Sequence, residues 1–438
     1  MQWPNACSRG TIKAMTSTID DDLPSDTAGR GWQARFFTIW GGQAFSLVGS
    51  SLVRFALIWW LTSETDSATV LTTATLASML PFIFLAPFSG ALVDRWNRRW
   101  VMVISDALIA LLTALLAVLF WLGIAEVWHV YLVLFLRAFG DVFQSPAMQA
   151  ATSLMVPKHH LTRVAGANDL LMGVVSIVAP PLGALLVETV SMQGTLAIDM
   201  VTAVLAIGPL LFIPVPEPEP KDDAKRSESF WQEMTAGFRY VWDWRGLFFL
   251  FMALAAMRFF LAPAFSLLPL MVTDHFGGGA FELAWINSAH GVGFIAGGLL
   301  LGVWGGFKRR TFTALLGLVG VGVLSLVFGL VPEGAFGVAL VVMFIRTLMI
   351  PMMRSSVMTI FQTYVPPDMQ GRVFTLLLSS ISLMAPFGLA LGGPIADTFG
   401  VPIIFVITGI GCLVVATSWV LNPTILYLED HPKVESGG

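Results

Sequence analysis

Apolar stretches alternate with short polar stretches along nearly the whole chain. An α-helix of about 20 apolar residues crosses the hydrocarbon core of a bilayer, so each such stretch predicts a membrane-spanning helix. Twelve stretches qualify, which predicts an all-α integral membrane protein. The predicted spans are residues 34–61, 68–93, 99–121, 127–149, 164–190, 194–214, 246–273, 281–306, 311–331, 335–361, 372–398 and 401–422.

Basic residues occupy every second connection between these spans. They are Arg95, Arg98, Arg99, Lys158, Arg163, Lys221, Lys225, Arg226, Lys308, Arg309, Arg310 and Arg372. Lysine and arginine concentrate in cytoplasmic loops. We therefore expect both termini to lie in the cytoplasm, in agreement with an even number of spans.

A polar linker divides the predicted spans into two sets of six. It begins with the proline-rich run PVPEPEP and ends in aromatic residues at helical spacing, which favours a helix lying on the membrane surface. The expected organisation is a cytoplasmic tail, a six-helix bundle, the linker, a second six-helix bundle and a second cytoplasmic tail, at residues 1–33, 34–214, 215–245, 246–422 and 423–438.

The two sets of spans are similar in sequence at a constant offset of 209 residues. Arg137 then aligns with Arg346, and Gly183 aligns with Gly392. A constant offset over about 60 residues indicates duplication of a six-helix unit. In transporters built from paired repeats, the substrate site lies between the repeats near the middle of the bilayer.

Composition agrees with a membrane location. Hydrophobic residues make up 56% of the chain and charged residues only 12%, about half the charged fraction of a typical soluble protein. The net charge of −4 gives no reason to expect a nucleic-acid partner. Cys7 lies in a polar tail and Cys412 in an apolar stretch near the other end of the chain, so the sequence predicts no disulfide between them. No metal-ligand spacing is present.

The connection after the second span contains a recognisable motif. Its sequence GALVDRWNRR, from Gly90 to Arg99, resembles the G-x-L-x-D-R-x-x-R-R signature of the major facilitator superfamily. We expect Gly90 to permit close helix contact and Asp94 to accept hydrogen bonds, while Arg95, Arg98 and Arg99 anchor the cytoplasmic face as a gate. The matching connection of the second half has Gly305 where the aspartate would fall.

Longer segments resemble one branch of that superfamily. FFTIWGGQAFSLVGSSLVRFALIWWLT, RAFGDVFQSPAMQAATSLMVP and GRVFTLLLSSISLMAPFGLALGGPIADTFG are similar to the twelve-helix drug:proton antiporters that include the macrolide efflux transporters. The resemblance implies two pseudo-symmetric six-helix bundles that export an amphiphilic drug against an inward proton flow. The charges at Arg54, Asp141 and Arg258 depart from what the macrolide exporters lead us to expect.

Five arginines lie within predicted spans, and the free energy needed to bury each one restricts where its side chain can point. An arginine at the centre of a membrane helix costs about 2.5–3.5 kcal/mol on insertion scales, so it persists where it meets a polar cavity or an acid. These residues are Arg54, Arg137, Arg258, Arg346 and Arg354. We expect Arg54 and Arg258 to line the cavity, Arg354 to reach the interface, and Arg346 to find an acid on another helix.

Proton coupling needs a side chain that exchanges a proton as the cavity changes side. Arg137 and Asp141 are four residues apart and share a helix face, which suits either a switchable ion pair or a permanent structural one. Asp106 suits a structural role with Arg163 or the loop arginines, or proton carriage, and His290 suits helix packing or proton carriage. Asp169 is expected near the cytoplasmic end of its helix, and Glu188 and Asp199 near solvent at the outer end of theirs.

The first helix of each half faces the pathway in this superfamily, so their aromatic and polar residues are cavity candidates. With Arg346 of the tenth span, the candidates are Trp40, Gln43, Arg54, Phe55, Trp59, Arg258, Phe259, Phe265 and Arg346. Prolines and glycines at matching places in the two halves mark points where membrane helices bend. They are Pro180, Pro181, Gly183, Pro386 and Gly392.

The sequence therefore predicts a monomeric, proton-coupled exporter of amphiphilic small molecules in a bacterial inner membrane, of the macrolide or multidrug type. A siderophore exporter or a lysophospholipid flippase on the same scaffold is the alternative, since Arg54 and Arg258 suit an anionic head group. No cofactor is expected. An enzyme is not expected either, because the sequence contains no serine-histidine-acid set, metal cluster or phosphate-binding loop.

Overall fold

A computed structural model describes residues 31–216, 230–426 and 429, and these residues form helices joined by short connections. The first half contains α1 (Trp32–Thr65), α2 (Ala68–Val93), α3 (Arg98–Trp121), α4 (Val127–Met155), α5 (Leu161–Thr189) and α6 (Met192–Phe212). The second part contains α7 (Phe230–Asp243), α8 (Arg245–Ser266), α9 (Ala280–Trp304), α10 (Arg310–Gly329), α11 (Phe336–Tyr364), α12 (Pro367–Phe399) and α13 (Pro402–Leu421). Short helical turns cover Lys158–His160, Leu268–Leu270, Met271–His275 and Pro423–Leu426.

Length and hydropathy identify these helices as membrane-spanning. In the described part of the chain, eleven helices are long and apolar enough to cross a membrane. The 29-residue α4 is of comparable length and carries Arg137 and Asp141. Polar caps define several helix starts: the Ser67 hydroxyl accepts from the Val70 amide at α2, and the Asn97 carbonyl oxygen accepts from the Trp100 amide at α3.

The two halves use the same set of helix contacts. In the first half α1 packs on α5 and α6, α2 on α4, and α3 on α4 and α6. In the second half α8 packs on α12 and α13, α9 on α11, and α10 on α11 and α13, which is the same arrangement. The halves meet where α2 packs on α12 and α5 packs on α9, two contacts that the pseudo-symmetry exchanges. The repeat detected in the sequence is thus a repeat of structure.

The apolar clusters show where the halves are joined. One cluster contains Leu61 and Leu71 from the first half together with Leu267, Leu283 and other residues from the second half. We call this end of the molecule the closed end. At the opposite end, around the 93–98 and 305–310 connections, each half has an apolar cluster of its own.

The predicted bending residues lie in continuous helices and make close contacts. Pro180 and Pro181 lie inside α5, and Pro386 lies inside α12. A Cβ at Gly183 would come within 2.8 Å of the Phe55 ring. A Cβ at the repeat-related Gly392 would come within 2.3 Å of Pro263. These glycines therefore let α5 approach α1 and α12 approach α8, at equivalent places in the two halves.

A helix, α7, is found in the segment where a helix lying on the membrane surface was expected. Phe238 and Trp242 stack with ring centroids 5.7 Å apart, and both side chains are exposed. Residues 1–30, 217–229, 427, 428 and 430–438 lie outside the described residues. The expectations for most of the N-terminal tail, for Cys7, for residues 217–229 of the linker and for most of the C-terminal tail fall there.

Candidate functional site

A buried ion pair inside the first half is the strongest polar feature of the described residues. Arg137 Nη1 of α4 lies 2.7 Å from Asp199 Oδ2 of α6. Asp199 is only 1% exposed. It also accepts hydrogen bonds at 3.0 Å from the hydroxyls of Ser50 and Thr113, and Arg137 in turn donates to both hydroxyls. Four helices, α1, α3, α4 and α6, therefore meet at one charged network.

This network corrects two expectations. The predicted partner of Arg137 was Asp141, but the ion pair is made with Asp199, because α6 brings that acid against the buried face of α4. Asp199 was also expected near solvent. It lies seven residues inside α6, about two turns from the first residue, Met192, and so is at membrane depth.

Asp141 lies one turn from the ion pair and is half-buried. The charged groups that act on its carboxylate are Arg54 of α1, Arg137 and Asp199. Arg54 is exposed although it sits well inside α1. Arg54 therefore acts electrostatically from α1 on the Asp141 carboxylate of α4.

A second polar network lies closer to the opposite end of the same half. Gln43 Nε2 donates to Asp106 Oδ2 at 2.7 Å, and Gln144 Nε2 donates to Gln43 Oε1 at 2.5 Å. Asp106 and Gln43 are both buried. The expected partners of Asp106 were Arg163 or the loop arginines, but its observed donor is the Gln43 amide, which α1 brings alongside α3.

The aromatic candidates in α1 differ in their surroundings. Trp40 Nε1 donates to Asn168 Oδ1 at 2.6 Å and is half-buried. Trp59 packs against the cluster at the closed end. Phe55 was expected to line a cavity but is 8% exposed, because its ring packs into the space left by Gly183.

In the second half, α8 carries two exposed candidates on one face. Arg258 and Phe265 are seven residues apart, two helical turns, and both are exposed. The Phe265 ring centroid lies 5.7 Å from the His290 ring of α9. Arg258 is exposed although it lies well inside α8. Phe259, half-buried, stacks edge-on against Phe260.

Arg346 occupies the position in α11 that Arg137 occupies in α4, but its environment differs. Its Nε donates to Ser325 Oγ at 2.7 Å, and its Nη1 lies 3.8 Å from Met343 Sδ. The expected acid on another helix is not found: within the part of the chain that the structure describes, Arg346 makes no ion pair and no hydrogen bond to a carboxylate. Arg346 is 6% exposed, so it is a buried cation rather than a cavity lining.

A carboxylate at the closed end joins the two halves. Asp397, near the end of α12, accepts hydrogen bonds from the backbone amides of Ala68 and Thr69 at 2.6 and 3.1 Å, and from the Thr69 hydroxyl at 2.5 Å. These amides form the N-terminus of α2, where the helix dipole favours a negative charge. We call this contact the Asp397 latch. The Thr75 and Ser266 hydroxyls, 2.6 Å apart, join α2 to α8 as a second contact between the halves.

The motif at the opposite end is held within the first half. Arg98 Nη2 lies 3.2 Å from Asp94 Oδ1, and Arg99 Nη2 donates to the Leu211 carbonyl at 2.5 Å. Arg95 is exposed. Gly90 was expected to permit a close helix contact, but a Cβ there would meet no atom within 4 Å. In this conformation the motif ties α2 and α3 to α6.

Metal binding finds no support in the part of the chain that the structure describes. No group of three or more histidine, cysteine, aspartate or glutamate side chains there is arranged to hold a metal ion. The arrangement instead provides a buried arginine inside each bundle, and exposed arginines and aromatic rings on the first helix of each half.

Two pseudo-symmetric bundles of membrane-spanning helices, each with a buried arginine, are the architecture of a membrane transporter. The profile of the Major Facilitator Superfamily matches residues 39–374 and 247–437. Macrolide efflux protein A of Streptococcus pyogenes is 33% identical over 380 residues, which cover 86% of this chain and 93% of that protein. Macrolide efflux protein A of Enterococcus faecalis is 32% identical over 72% of this chain and 97% of its own length.

The chain therefore belongs to the major facilitator superfamily, among the relatives of the macrolide efflux proteins. A more distant relative, the multidrug efflux pump Tap of Mycobacterium tuberculosis, is 25% identical over 88% of this chain and 92% of that protein. These similarities identify the protein as a multi-pass membrane transporter of the efflux type.

Solved structures support the fold independently. A bacterial homologue of the human lysosomal transporter Spinster, in an inward-facing and unoccupied conformation, superposes with a TM-score of 0.69. It covers 92% of this chain and 99% of its own, at 14% identity. The nucleoside transporter NupG superposes with a TM-score of 0.62 at 13% identity, covering 87% of this chain and 98% of its own.

Proposed function

We propose that this protein is a proton-coupled exporter of macrolide-type amphiphilic drugs that works by alternating access. It acts as a monomer in the bacterial cytoplasmic membrane, with both termini in the cytoplasm and with residues 34–214 and 246–422 as its two moving bundles. The observation that carries the proposal is the placement of Asp141 between the buried Arg137–Asp199 pair and the exposed Arg54, in a chain one-third identical to macrolide efflux proteins.

Asp141 is the proposed proton carrier. Two cations, Arg54 and Arg137, and one acid, Asp199, act electrostatically on its carboxylate. Any movement of α1 against α4 changes the distances between these charges and the Asp141 carboxylate, so the proton affinity of Asp141 depends on the conformation. One proton crossing a membrane potential of 100 mV releases about 2.3 kcal/mol. That free energy corresponds to a concentration ratio of a few tens, sufficient for useful drug export.

The drug is proposed to bind in the cleft between the bundles. Arg258 and Phe265 on α8 offer it a cation and an aromatic face, and Asp141 offers an anion for a protonated amine. The closed end supplies the gate. In the proposed cycle the Asp397 latch and the Thr75–Ser266 contact break when the bundles rock toward the outward-open state, and they re-form on return.

Proteoliposomes with an internal pH indicator test this proposal. Addition of a macrolide should move protons through the wild-type protein and not through Asp141→Asn. Asp169→Asn is the matched control, because Asp169 is an exposed acid on α5, and it should retain proton movement. Undiminished macrolide-driven proton movement in Asp141→Asn would refute the coupling role.

A second substrate class is favoured by the two exposed arginines. Arg54 and Arg258 suit an anionic head group, as in a siderophore or a lysophospholipid. The same proteoliposomes distinguish the two: a response to lysolipids or siderophores, with none to macrolides, would assign the protein to that class.

A further inference from the structure

The two halves differ at the buried arginine that each of them carries. In the first half, Asp199 neutralises Arg137. The 209-residue shift that relates the halves places Thr408 at the position of Asp199. Thr408 directs its hydroxyl to the Phe260 carbonyl at 2.8 Å. The second half has kept the cation and has a neutral residue in place of its acid.

Arg346 is left with neutral partners only. Ser325 Oγ and Met343 Sδ accept from Nε and Nη1, which leaves most of its five N–H donors available. The ionisable groups that act on it are His290 and Cys412, and neither is a carboxylate. A guanidinium stays protonated in proteins, and a buried charge without a counter-charge is costly.

His290 relates this guanidinium to the exposed face of α8. Arg346 acts electrostatically on His290, and the His290 ring centroid lies 5.7 Å from that of Phe265, whose side chain is 60% exposed. Two glycines that follow His290 in α9 are tightly packed. Gly291 lies against Ser176 of α5, and Gly293 lies against Thr347 of α11. Because these glycines leave α9 little room to shift, we expect a small ligand to reach Arg346 by displacing the half-buried His290 side chain.

We propose that the second half binds a compact monovalent anion at Arg346, in the position that the Asp199 carboxylate holds in the first half. The anion is either a free halide or the carboxylate group of an amphiphile in the cleft. It supplies the counter-charge that the sequence of this half lacks, with His290 beside it. This inference concerns equilibrium binding and does not depend on drug export or proton coupling.

Thermal unfolding of the purified protein in detergent provides the test, at constant sodium concentration. Replacing gluconate by chloride or bromide should raise the Tm of the wild-type protein by about 2 °C, as expected for a ligand that binds only the folded state. Without halide, an amphiphilic carboxylate should give the same rise, and its methyl ester should not, if the substrate is the source of the anion.

Three variants complete the design. Arg346→Met removes the cation at similar volume and should abolish the anion dependence. Thr408→Asp restores an acid at the repeat-related position and should also abolish it, while raising the Tm in gluconate. Arg354→Met, at an exposed arginine of the same helix, should leave the dependence intact.

The outcomes separate clearly. A halide response alone identifies a free anion as the ligand, and a carboxylate response identifies the amphiphile. If Arg346→Met does not fold, loss of the response in Thr408→Asp still supports the site, and its persistence there overturns it. Equal Tm values for the wild-type protein in all anions would also overturn the proposal, whereas the proteoliposome result would be unaffected.

Discussion

Removing the acid from the buried ion pair should destabilise the protein more than any exposed charge change. Asp199→Asn keeps the side-chain shape but leaves the Arg137 guanidinium without a counter-charge. The two charged groups are 2.7 Å apart, with side chains 10% and 1% exposed. Breaking such a pair by removing one partner costs about 3–5 kcal/mol. The Ser50 and Thr113 hydroxyls also lose a charged acceptor.

The assay is reversible unfolding in mixed micelles, which yields the free energy of unfolding of each variant. The double variant Asp199→Asn with Arg137→Gln removes both charges and should recover part of the loss, because no uncompensated charge remains. Asp169→Asn, at an exposed acid on α5, should change the free energy by less than about 0.5 kcal/mol. A loss below about 1 kcal/mol for Asp199→Asn, or a double variant no more stable than the single one, would refute the reasoning.

Three further predictions concern other parts of the fold. Asp397→Ala removes the acceptor at the N-terminus of α2 and should cost about 0.5–2 kcal/mol in unfolding free energy, with no loss contradicting the latch. Gly388→Ala places a Cβ 2.0 Å from the Phe259 carbonyl oxygen and should lower the Tm. Gly302→Ala, where a Cβ meets no atom within 4 Å, should leave the Tm unchanged, and equal Tm values for the two variants would contradict the packing. The pKa of Asp274, in the turn after α8, is raised by burial, although the Thr273 hydroxyl opposes this, and Asp66 adds to the rise. The native state therefore binds the Asp274 proton more tightly than the unfolded state does, so the free energy of unfolding falls as pH rises through the native pKa. Asp274→Asn should be more stable than wild type at pH 7 but not below the unfolded pKa of 3.8.

Hydropathy predicted the helices well because a bilayer permits very few kinds of structure to span it. Each span must satisfy its own backbone hydrogen bonds and match the hydrocarbon thickness. Predicted span 68–93 coincides with α2, and predicted span 127–149 stops six residues short of Met155, where polar residues enter α4. The repeat was also detectable, since Arg137 and Arg346 preserve it.

The pairing of charges could not be predicted in the same way. Spacing of four residues suggested Arg137 with Asp141, but the partner comes from α6, 62 residues further along the chain. One signal was available: Asp199 is two turns inside an apolar helix, where an acid persists only with a cation nearby. The same reasoning fails for Arg346, since its neighbourhood contains no carboxylate among the described residues.

The burial of Phe55 shows a related limit. Its helix face was consistent with a cavity, but Gly183 on another helix leaves a recess that the ring fills. Such tertiary complementarity depends on how α5 approaches α1. Hydrophobic periodicity alone contains no information about that distance.

Labelling of cysteines from one side of the membrane measures whether Arg258 and Phe265 face a cleft between the bundles. In the proposed cycle the exported drug enters this cleft from the end opposite the closed end. In a background without Cys7 and Cys412, single cysteines at positions 258 and 265 should react with a membrane-impermeant thiol reagent from the cytoplasmic side, and a macrolide should slow that reaction. Labelling only by lipid-soluble reagents, unaffected by macrolide, would contradict the account.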